Sequence, residues 1–270
     1  MKKKRIKPLV CYLFTGFDKS KSFFNFINNY NKYNSGYNHD LFICYKLLNN
    51  KRINTLENKI KKIKHKVFID PSTDNDWDFG SYSRFAKKFK KRVIFFMNSH
   101  SYPITDNWLN KFIKHYNKKT IIAASGSYES ITNEVKLKKP FNFFSFFKKK
   151  FKAKKSFTLF PNPHLNTSSF LIYSDYFNLY IKNKKFKLKY DTWKIESGFN
   201  SLTNYFKRKN FDLLVVNSDG DKFKEGRWML SETYYFRNQS KTIISDKHSR
   251  KYLKLSKTKR IEAQKSVWGV

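Results

Sequence analysis

Residues 76–109 read DWDFGSYSRFAKKFKKRVIFFMNSHSYPITDNWL, and this stretch decides the fold. Its opening, DWDFGSY, predicts a glycine-containing polar turn ahead of a helix over 82–90. The apolar run 93–97 predicts a buried strand that breaks abruptly into polar residues. In open α/β sheets, ligands bind beyond the carboxyl ends of the strands. The stretch therefore predicts one helix and strand of such a sheet, with a binding site where the strand ends.

Apolar runs typical of strands alternate with amphipathic stretches along the rest of the chain. The predicted strands cover 9–14, 41–45, 66–69, 93–97, 120–124, 168–173 and 213–216. The predicted helices cover 22–33, 53–62, 82–90, 106–116, 175–181 and 195–207. Strands separated by helices of this length favour βαβ units. The sequence thus predicts an α/β fold: a single domain whose largely parallel central sheet is flanked by helices.

The chain has 270 residues and a formal net charge of +37. Such an excess usually indicates nucleic acid or an anionic membrane as a partner. Lysine, asparagine, isoleucine, phenylalanine and tyrosine are abundant together, however, which is the pattern that an AT-rich genome imposes on any protein. No RNA-binding aromatic signature, helix-turn-helix pattern or zinc-ligand set is present, so no specific nucleic-acid partner is predicted. A basic nucleic-acid-binding protein stays open as the alternative function.

Two cysteines, Cys11 and Cys44, lie inside apolar runs. We expect both to be buried and reduced, which favours a cytoplasmic location. The amino-terminal apolar stretch is short and runs into Asp18, so it predicts a first strand rather than a signal peptide. No segment approaches the ~20 apolar residues that span a bilayer.

Two regions depart from the α/β alternation. Residues 136–157 mix phenylalanines with lysines. If they are helical, Phe143, Phe144, Phe147 and Phe151 share one face, which suits a membrane interface; the alternative is an insertion packed on the domain with its lysines solvated. Residues 226–270 predict a carboxyl-terminal extension packed on the domain of residues 1–225, either over the site or on the far side.

Four short motifs follow one another in a recognisable order: DFGSY at 78–82, MNS at 97–99, HLNTSSFL at 164–171 and IESGFNSLT at 195–203. Their order and spacing resemble GT-A-type glycosyltransferases over most of residues 8–220. Within that fold the sequence is most similar to the rhamnan synthesis protein F group and related bacterial surface-polysaccharide transferases.

The resemblance implies transfer of a hexosyl or deoxyhexosyl group from a UDP- or dTDP-sugar to a lipid-linked or growing surface glycan, with inversion. The chain would work in the cytoplasm or on the inner face of the cytoplasmic membrane. The implied donor-binding residues are Thr15, Asp76, Asp78, Gly80, Ser81, Asn98, Ser99 and His100. Asp78 would accept hydrogen bonds from ribose hydroxyls, and Gly80 would allow close backbone approach. The alternative is an ordinary helix start with Asp78 as its N-cap.

The sequence departs from the usual GT-A pattern at the end of the fourth strand. Most such enzymes have Asp-x-Asp there, since two carboxylates hold a divalent cation. This chain has Asn98, Ser99 and His100, which make a poor site for a hard cation, so no metal ligand is predicted and the cofactor is unknown. A divalent cation, Mg²⁺ or Mn²⁺, stays open, although no Asp-x-Asp at the expected strand end supports it. Lysines or arginines near the diphosphate could stabilise its charge instead.

Glu196 is the predicted catalytic base, since the resemblance places a carboxylate near the start of a late helix, where it removes the proton of the acceptor hydroxyl. Asp191 is the second candidate. The alternative is that Glu196 only favours a helix N-terminus electrostatically. His164, Asn166 and Ser197 are predicted to contact the acceptor, although a histidine after two prolines also suits a structural loop. A catalytically inactive glycan-binding module remains a further alternative, because Asp-x-Asp is missing.

Overall fold

The computed structural model describes residues 6–134 and 143–270, and an eight-stranded sheet lies at the centre of this part of the chain. The strands are β1 (Leu9–Thr15), β2 (Asp40–Lys46), β3 (Lys66–Ile69), β4 (Val93–Met97), β5 (Tyr102–Pro103), β6 (Thr120–Ala123), β7 (Gly126–Ser127), β8 (His164–Leu165), β9 (Ser169–Tyr173), β10 (Asp212–Val216), β11 (Lys222–Lys224) and β12 (Ile244–Ser245). The main sheet has the order β11-β10-β6-β9-β4-β1-β2-β3, and β5 with β12 and β7 with β8 form two short ladders.

Helices connect most of these strands. They are α1 (Ser20–Lys32), α2 (Asn50–Lys59), α3 (Trp77–Lys88), α4 (Trp108–Ile113), α5 (Ile131–Glu134), α6 (Phe143–Lys154), α7 (Ser174–Ile181), α8 (Lys189–Ser197), α9 (Leu202–Lys207), α10 (Lys247–Leu253) and α11 (Lys257–Trp268), with a 3₁₀ helix at Trp228–Ser231. Among the described residues, no helix is both long enough and apolar enough to cross a bilayer.

The central sheet is largely parallel, as predicted. Within the described residues, β1, β2, β3, β4, β6 and β10 point the same way, while β9 runs antiparallel between β4 and β6, and β11 antiparallel to β10. The prediction of an α/β fold with a mostly parallel sheet flanked by helices is therefore confirmed.

The chain order changes direction at β1. Leu9 pairs in register with Asp40 of β2 on one side and with Ile94 of β4 on the other. A crevice opens beyond the carboxyl ends of two such strands because their connections leave in opposite directions. The carboxyl ends of β1 and β4 therefore mark the topological switch point of the sheet.

Both faces of β1 are buried, which explains its continuous apolar sequence. Cys11 and Leu13 face a core that contains Phe85 of α3. Tyr12 lies on the opposite face and stacks on Phe26 of α1, with ring centroids 3.7 Å apart. The prediction that Cys11 and Cys44 are buried and unpaired is confirmed.

Two predicted helices differ from the structure. The segment 76–82 is not a polar turn before a helix, because α3 already begins at Trp77 and contains Gly80. The single helix expected over 195–207 is two helices, since α8 ends before Gly198 and the side chain of Ser201 caps α9. A Cβ on Gly198 would lie 2.7 Å from the carbonyl oxygen of Lys194, so the chain turns out of the helix at a position that fits only glycine.

The carboxyl-terminal segment contacts both the core and the loop after β4. Trp268 of α11 is buried and its Nε1 donates a hydrogen bond to the carbonyl oxygen of Tyr234, at 2.9 Å. Ser245 in β12 pairs with Tyr102 in β5. Residues 136–142 of the predicted aromatic insertion lie outside the described residues, as do the side chains of Phe143, Phe144 and Phe147 and hence the predicted shared face.

Candidate active site

The side chains of Asp18 and His100 meet at the switch point. Asp18 follows β1 and His100 follows β4; Nε2 of His100 lies 3.2 Å from Oδ1 of Asp18, and Thr15 donates its hydroxyl to Oδ2, at 2.6 Å. Burial alone would raise the pKa of Asp18, but hydrogen bonds from His100, Thr15 and Ser99 lower it to about 2. Asp18 is therefore an anion at every physiological pH.

Hydrogen bonds fix the loop that carries His100. The side-chain oxygen of Asn98 accepts from the backbone N–H of His100, at 3.1 Å, and from the hydroxyl of Ser101, at 2.8 Å. The hydroxyl of Tyr12 donates to the carbonyl oxygen of Ser99, at 3.0 Å. The guanidinium of Arg250, in α10, donates to the carbonyl oxygen of His100, at 3.0 Å. The loop is thus held from β1 and from the carboxyl-terminal segment.

Asp78 lies close to these charges. Burial raises its pKa to about 6; Lys46 and His100 oppose the rise, and Asp18 and Glu196 add to it. Asp78 lies in the first turn of α3, two residues after Asp76, which pairs with Lys46 at the end of β2, so it lies at the same edge of the sheet as Asp18 and His100. Together with Glu196, described next, we call these residues the switch-point cluster. The carboxyl of Asp78 therefore titrates far closer to neutral pH than that of Asp18.

Glu196 enters the cluster from α8. Its Oε1 accepts two hydrogen bonds from Thr167, one from the backbone N–H and one from the hydroxyl, both at 2.8 Å. Thr167 lies just before β9, which runs beside β4, so the contact brings Glu196 to the carboxyl edge of the parallel strands. The expected position near the start of a helix is wrong: Glu196 is the penultimate residue of α8, so the alternative of an N-terminal dipole interaction is wrong too.

Two of the predicted acceptor residues, His164 and Asn166, come just before Thr167 in the chain. His164 is buried, its Nδ1 lies 2.8 Å from the carbonyl oxygen of Asn162, and burial lowers its pKa although the charge of Glu196 opposes this. The side chain of Asn166 donates to the hydroxyl of Ser125, at 2.9 Å. Since a carbonyl can only accept, Nδ1 of neutral His164 carries the proton and Nε2 has the lone pair.

Ser197 is buried next to Glu196 at the end of α8. Its hydroxyl donates to the carbonyl oxygen of Trp193, at 3.3 Å, and its own carbonyl accepts from the side chain of Asn162, at 2.8 Å. This Asn162 bond ties the end of α8 to the segment that carries His164. A role for Ser197 in acceptor contact stays a prediction.

Several predicted donor residues belong to an internal ion-pair network. Asp76 is buried and paired with Lys46, which is 1% exposed, and with Arg84, whose Nη1 lies 2.5 Å from Oδ2 of Asp76. Arg84 also pairs with Asp70, which accepts a hydrogen bond from Ser81. Both Asp76 and Ser81 already have partners within this network. Their direct contact with the donor stays a prediction. The evident role of the network is to hold α3 and hence Asp78.

Gly80 has a steric role inside α3. A Cβ at this position would lie 2.0 Å from Cγ and from Oδ2 of Asp76. Asp76 holds the N-cap position without a capping hydrogen bond from its side chain, so the alternative with Asp78 as N-cap is wrong. Because Gly80 has no side chain, the carboxylate of Asp76 can lie against the first turn of α3, where it pairs with Lys46 and Arg84.

Asp191 lies apart from Glu196. Its carboxylate accepts from the backbone N–H of Leu188, at 3.2 Å, and pairs with Lys194, at 2.9 Å. Burial would raise its pKa, but these contacts with Lys194 and Leu188 lower it. Glu196 is five positions after Asp191, which places the two side chains about 140° apart around α8. Asp191 instead lines a basic cavity of about 360 Å³.

The strand end does not fit a divalent cation. The oxygen of Asn98 is engaged within its own loop, and Asp18 is the sole carboxylate bonded to His100 among the described residues. In residues 6–134 and 143–270, no group of three or more His, Cys, Asp or Glu side chains could hold a metal. We therefore derive no step through a metal ion.

Sequence reasoning missed several residues that build the site. Asp18 and Lys46 each stand at the carboxyl end of a predicted parallel strand, and that position was a usable signal. No signal in the sequence indicated Arg84 or Arg250, because the chain has many basic residues and these two have no distinguishing motif. Thr167 was inside a quoted motif, but its bond to Glu196 joins segments 29 residues apart.

Comparison with known proteins gives weak similarities. No family model matches the chain, and no curated protein matches it significantly, so membership of the rhamnan synthesis protein F group stays a prediction. Among solved structures, HddC from Yersinia pseudotuberculosis is similar over 74% of this chain and 97% of its own, with 11% identity and a TM-score of 0.43.

Two further structures show the same level of similarity. The 4-diphosphocytidyl-2C-methyl-D-erythritol synthase of Anaerococcus prevotii matches 83% of this chain and 96% of its own, with 11% identity and a TM-score of 0.45. The glycosyltransferase GlyE of Streptococcus pneumoniae matches 77% of this chain but only 45% of its own, with 9% identity and a TM-score of 0.43. Scores below 0.5 are too low to support any inference about activity.

Proposed function

We propose that this chain is a glycosyltransferase that moves a hexosyl or deoxyhexosyl group from a UDP- or dTDP-sugar to a lipid-linked or growing surface glycan. One observation carries the proposal: the residues that follow β1 and β4 join across the switch point through Asp18 and His100, and Glu196 enters the same cluster. Open α/β sheets bind nucleotides at this position, and the carboxylate of Glu196 lies at the same edge of the sheet. The motif order described above supports the same assignment.

Charge at the switch point suits a diphosphate in spite of the carboxylates. Asp18 is bonded to His100, and Asp76 is neutralised by Lys46 and Arg84. Arg250 stacks on Tyr102 and reaches the backbone of His100. His100 and Arg250 are the groups that we propose to stabilise the departing nucleoside diphosphate without a metal.

Glu196 is placed to act as the base. Thr167 donates twice to Oε1, which fixes the orientation of the carboxylate, and within the described residues no hydrogen bond occupies Oε2. In the proposed step, Oε2 takes the proton of the acceptor hydroxyl while the acceptor oxygen bonds to the anomeric carbon and the bond to the diphosphate breaks. Attack from the face opposite the leaving group would invert the anomeric configuration.

The nucleotide part is tested by thermal shift with UDP, dTDP, GDP, CDP and a short single-stranded DNA. A ligand that binds only the folded state stabilises it, by about 2.7 kcal/mol at 100 times its Kd. We expect selective stabilisation by UDP or dTDP that is lost in His100→Ala and kept in Lys61→Ala, an exposed change in the connection from α2 to β3. Stabilisation by DNA alone, disappearing as salt rises, would reject the proposal.

The catalytic part is tested with Glu196→Gln. Glutamine keeps an oxygen for the two Thr167 donors but cannot take a proton, so we expect transfer to fall about 10²- to 10⁴-fold with donor affinity unchanged. Glu225→Gln is the matched control, because Glu225 forms a peripheral ion pair with Lys207. Product formation is followed by release of the nucleoside diphosphate in the presence of lipid-linked acceptor. Unchanged turnover in the Glu196 variant would remove it as the base.

A further inference from the structure

Four exposed apolar side chains lie on α6 and on residues 188–199, two segments that contact each other. Phe151 is 61% exposed, Leu188 64%, Trp193 37% and Phe199 46%. Two contacts tie these segments together: the hydroxyl of Tyr190 donates to the carbonyl oxygen of Lys152, at 2.8 Å, and the backbone N–H of Phe199 donates to the carbonyl oxygen of Ser156, at 2.9 Å. We call this surface the α6–α8 face.

Lysines surround these aromatic rings and lie against them. The ammonium of Lys155 is 4.4 Å from the ring centre of Phe151, that of Lys152 is 4.6 Å from Tyr190, and that of Lys189 is 5.4 Å from Trp193. Lysines with apolar stems along apolar surface and charged ends outward are the arrangement that suits a membrane interface.

A basic cavity opens in the same face. It has a volume of about 360 Å³, and its lining includes Lys155, Lys184, Lys185 and Lys194. One carboxylate, that of Asp191, lines it and is already paired with Lys194. Burial lowers the pKa of Lys184, and the charges of Arg208 and Lys194 lower it further, so positive charge is concentrated there without full compensation. A phosphate group would supply the missing negative charge.

We propose that the α6–α8 face docks this protein on an anionic phospholipid bilayer, with Phe151 and Trp193 in the interface and a lipid phosphate in the basic cavity. Charge complementarity favours a bilayer as the binding partner of this face. Lysines lie beside Phe151 and Trp193, so a protein partner would have to be acidic as well as apolar. Each lysine near an anionic bilayer contributes ~1 kcal/mol, which is about a fivefold change in partitioning.

Docking by this face would also orient the proposed catalytic centre. Trp193 and Glu196 are three residues apart on α8, a rise of about 4.5 Å along the helix axis. A lipid-linked acceptor held at the bilayer would therefore present its glycan beside Glu196. This consequence rests on the proposed function, whereas the docking itself does not.

The test is flotation of the full chain with vesicles of phosphatidylcholine containing 30% phosphatidylglycerol, at several salt concentrations. We expect Lys155→Glu/Lys185→Glu to weaken partitioning roughly 25-fold or more, and Phe151→Ala/Trp193→Ala roughly tenfold. Two matched controls lie elsewhere on the surface: Lys61→Glu/Lys62→Glu for charge, and Leu253→Ala/Ile261→Ala for exposed apolar side chains. The controls should change partitioning less than threefold.

Depth of insertion gives an independent readout. Trp108, Trp228 and Trp268 are buried, whereas Trp77 is half-buried and its Nε1 donates to the carbonyl oxygen of Lys187 beside this face, so the measurement is made in a Trp77→Phe background. Quenching of tryptophan fluorescence by brominated acyl chains should then come mainly from Trp193 and disappear when Trp193→Phe is added. Equal losses in the surface and control pairs, or quenching that persists without Trp193, would overturn the proposal. UDP or dTDP binding, measured without vesicles, should be unchanged in all these variants, so a failure of docking is distinguishable from a failure of the proposed function.

Discussion

Replacing Gly80 by alanine should destabilise the protein, although the same change inside a helix normally stabilises. Gly80 lies in the first turns of α3, where alanine would gain about 1 kcal/mol from helix propensity. The new Cβ, however, would lie 2.0 Å from the carboxylate of Asp76, a distance at which one of the two groups must move. The sign of the effect therefore depends on what Asp76 loses when it moves.

The magnitude follows from the partners of Asp76. Its carboxylate pairs with Lys46, which is 1% exposed, and with Arg84. Arg84 keeps a second partner in Asp70, but Lys46 would keep only the carbonyl oxygen of Trp77. Leaving one member of a buried ion pair uncompensated costs about 3–5 kcal/mol. Subtracting the gain in propensity leaves a net loss of about 2–4 kcal/mol.

Urea unfolding of a double-mutant cycle measures this directly. Asp76→Ala removes the three atoms that would lie nearest to the new Cβ, so Gly80→Ala should be destabilising in the natural background and neutral or stabilising in the Asp76→Ala background. The coupling free energy should be about 2 kcal/mol or more. If Gly80→Ala raised the urea midpoint while weakening nucleotide binding, Gly80 would serve ligand approach, and the steric explanation would be refuted.

Two further predictions concern pH and the carboxyl terminus. The pKa of Asp78 is raised to about 6, so its contribution to stability is present below its unfolded pKa near 3.8 and lost as pH rises through 6. In urea unfolding, Asp78→Asn should therefore become more stable relative to the natural chain by up to about 3 kcal/mol between pH 4 and pH 7. A difference that stays constant with pH would contradict this. Trp268→Ala should lower the free energy of unfolding by about 3–5 kcal/mol, because it leaves a cavity in the core and removes the hydrogen bond to the carbonyl oxygen of Tyr234. The control Ile261→Ala, at an exposed position of the same helix, should change it by no more than about 0.5 kcal/mol. Similar urea midpoints for both variants would show that α11 adds little to the core.

The strands could be predicted from the sequence because their signal is local. The runs 66–69 and 93–97 coincide with β3 and β4. The β4 run is wholly apolar because it is covered on both faces, whereas β3 is an edge strand in which only Phe68 is buried. The short ladder of β5 with β12 could not be predicted, since each strand has two residues and its partner is more than 140 positions away. A two-residue strand has no periodicity of its own, so only the tertiary contact defines it.

The helix boundaries were less predictable, and one of them changes the interpretation of the candidate base. Apolar residues continue past Gly198 into 202–206, which suggested one helix, but Gly198 turns away and Ser201 starts α9. Glu196 consequently lies at a helix carboxyl end, where the helix dipole disfavours a negative charge. The two hydrogen bonds from Thr167 offset that effect, and their source in a distant loop has no local signature.

The sequence could not distinguish ligand-binding carboxylates from carboxylates that hold the fold. Asp76 and Asp78 are two residues apart and looked equivalent, yet α3 directs Asp76 to Lys46 and Arg84 and leaves Asp78 in the field of Asp18. The difference arises because Asp76 is the N-cap of α3 and Asp78 lies in its first turn, and positions two residues apart diverge by about 200° around a helix, so the two carboxylates face different surroundings. A correct helix start at Trp77 would have separated their roles.

The distribution of charge in the switch-point cluster bears on how it could accept an anionic donor. Asp18 is committed to His100 and has a pKa of about 2, so it stays charged but compensated, whereas Asp78 has a pKa of about 6. A diphosphate placed beside Asp78 would raise that pKa further, so Asp78 would take up a proton as the donor binds. Protonation removes one negative charge from the cluster, while Glu196, oriented by Thr167, has no cationic partner among the described residues that would compete for the proton of the acceptor hydroxyl.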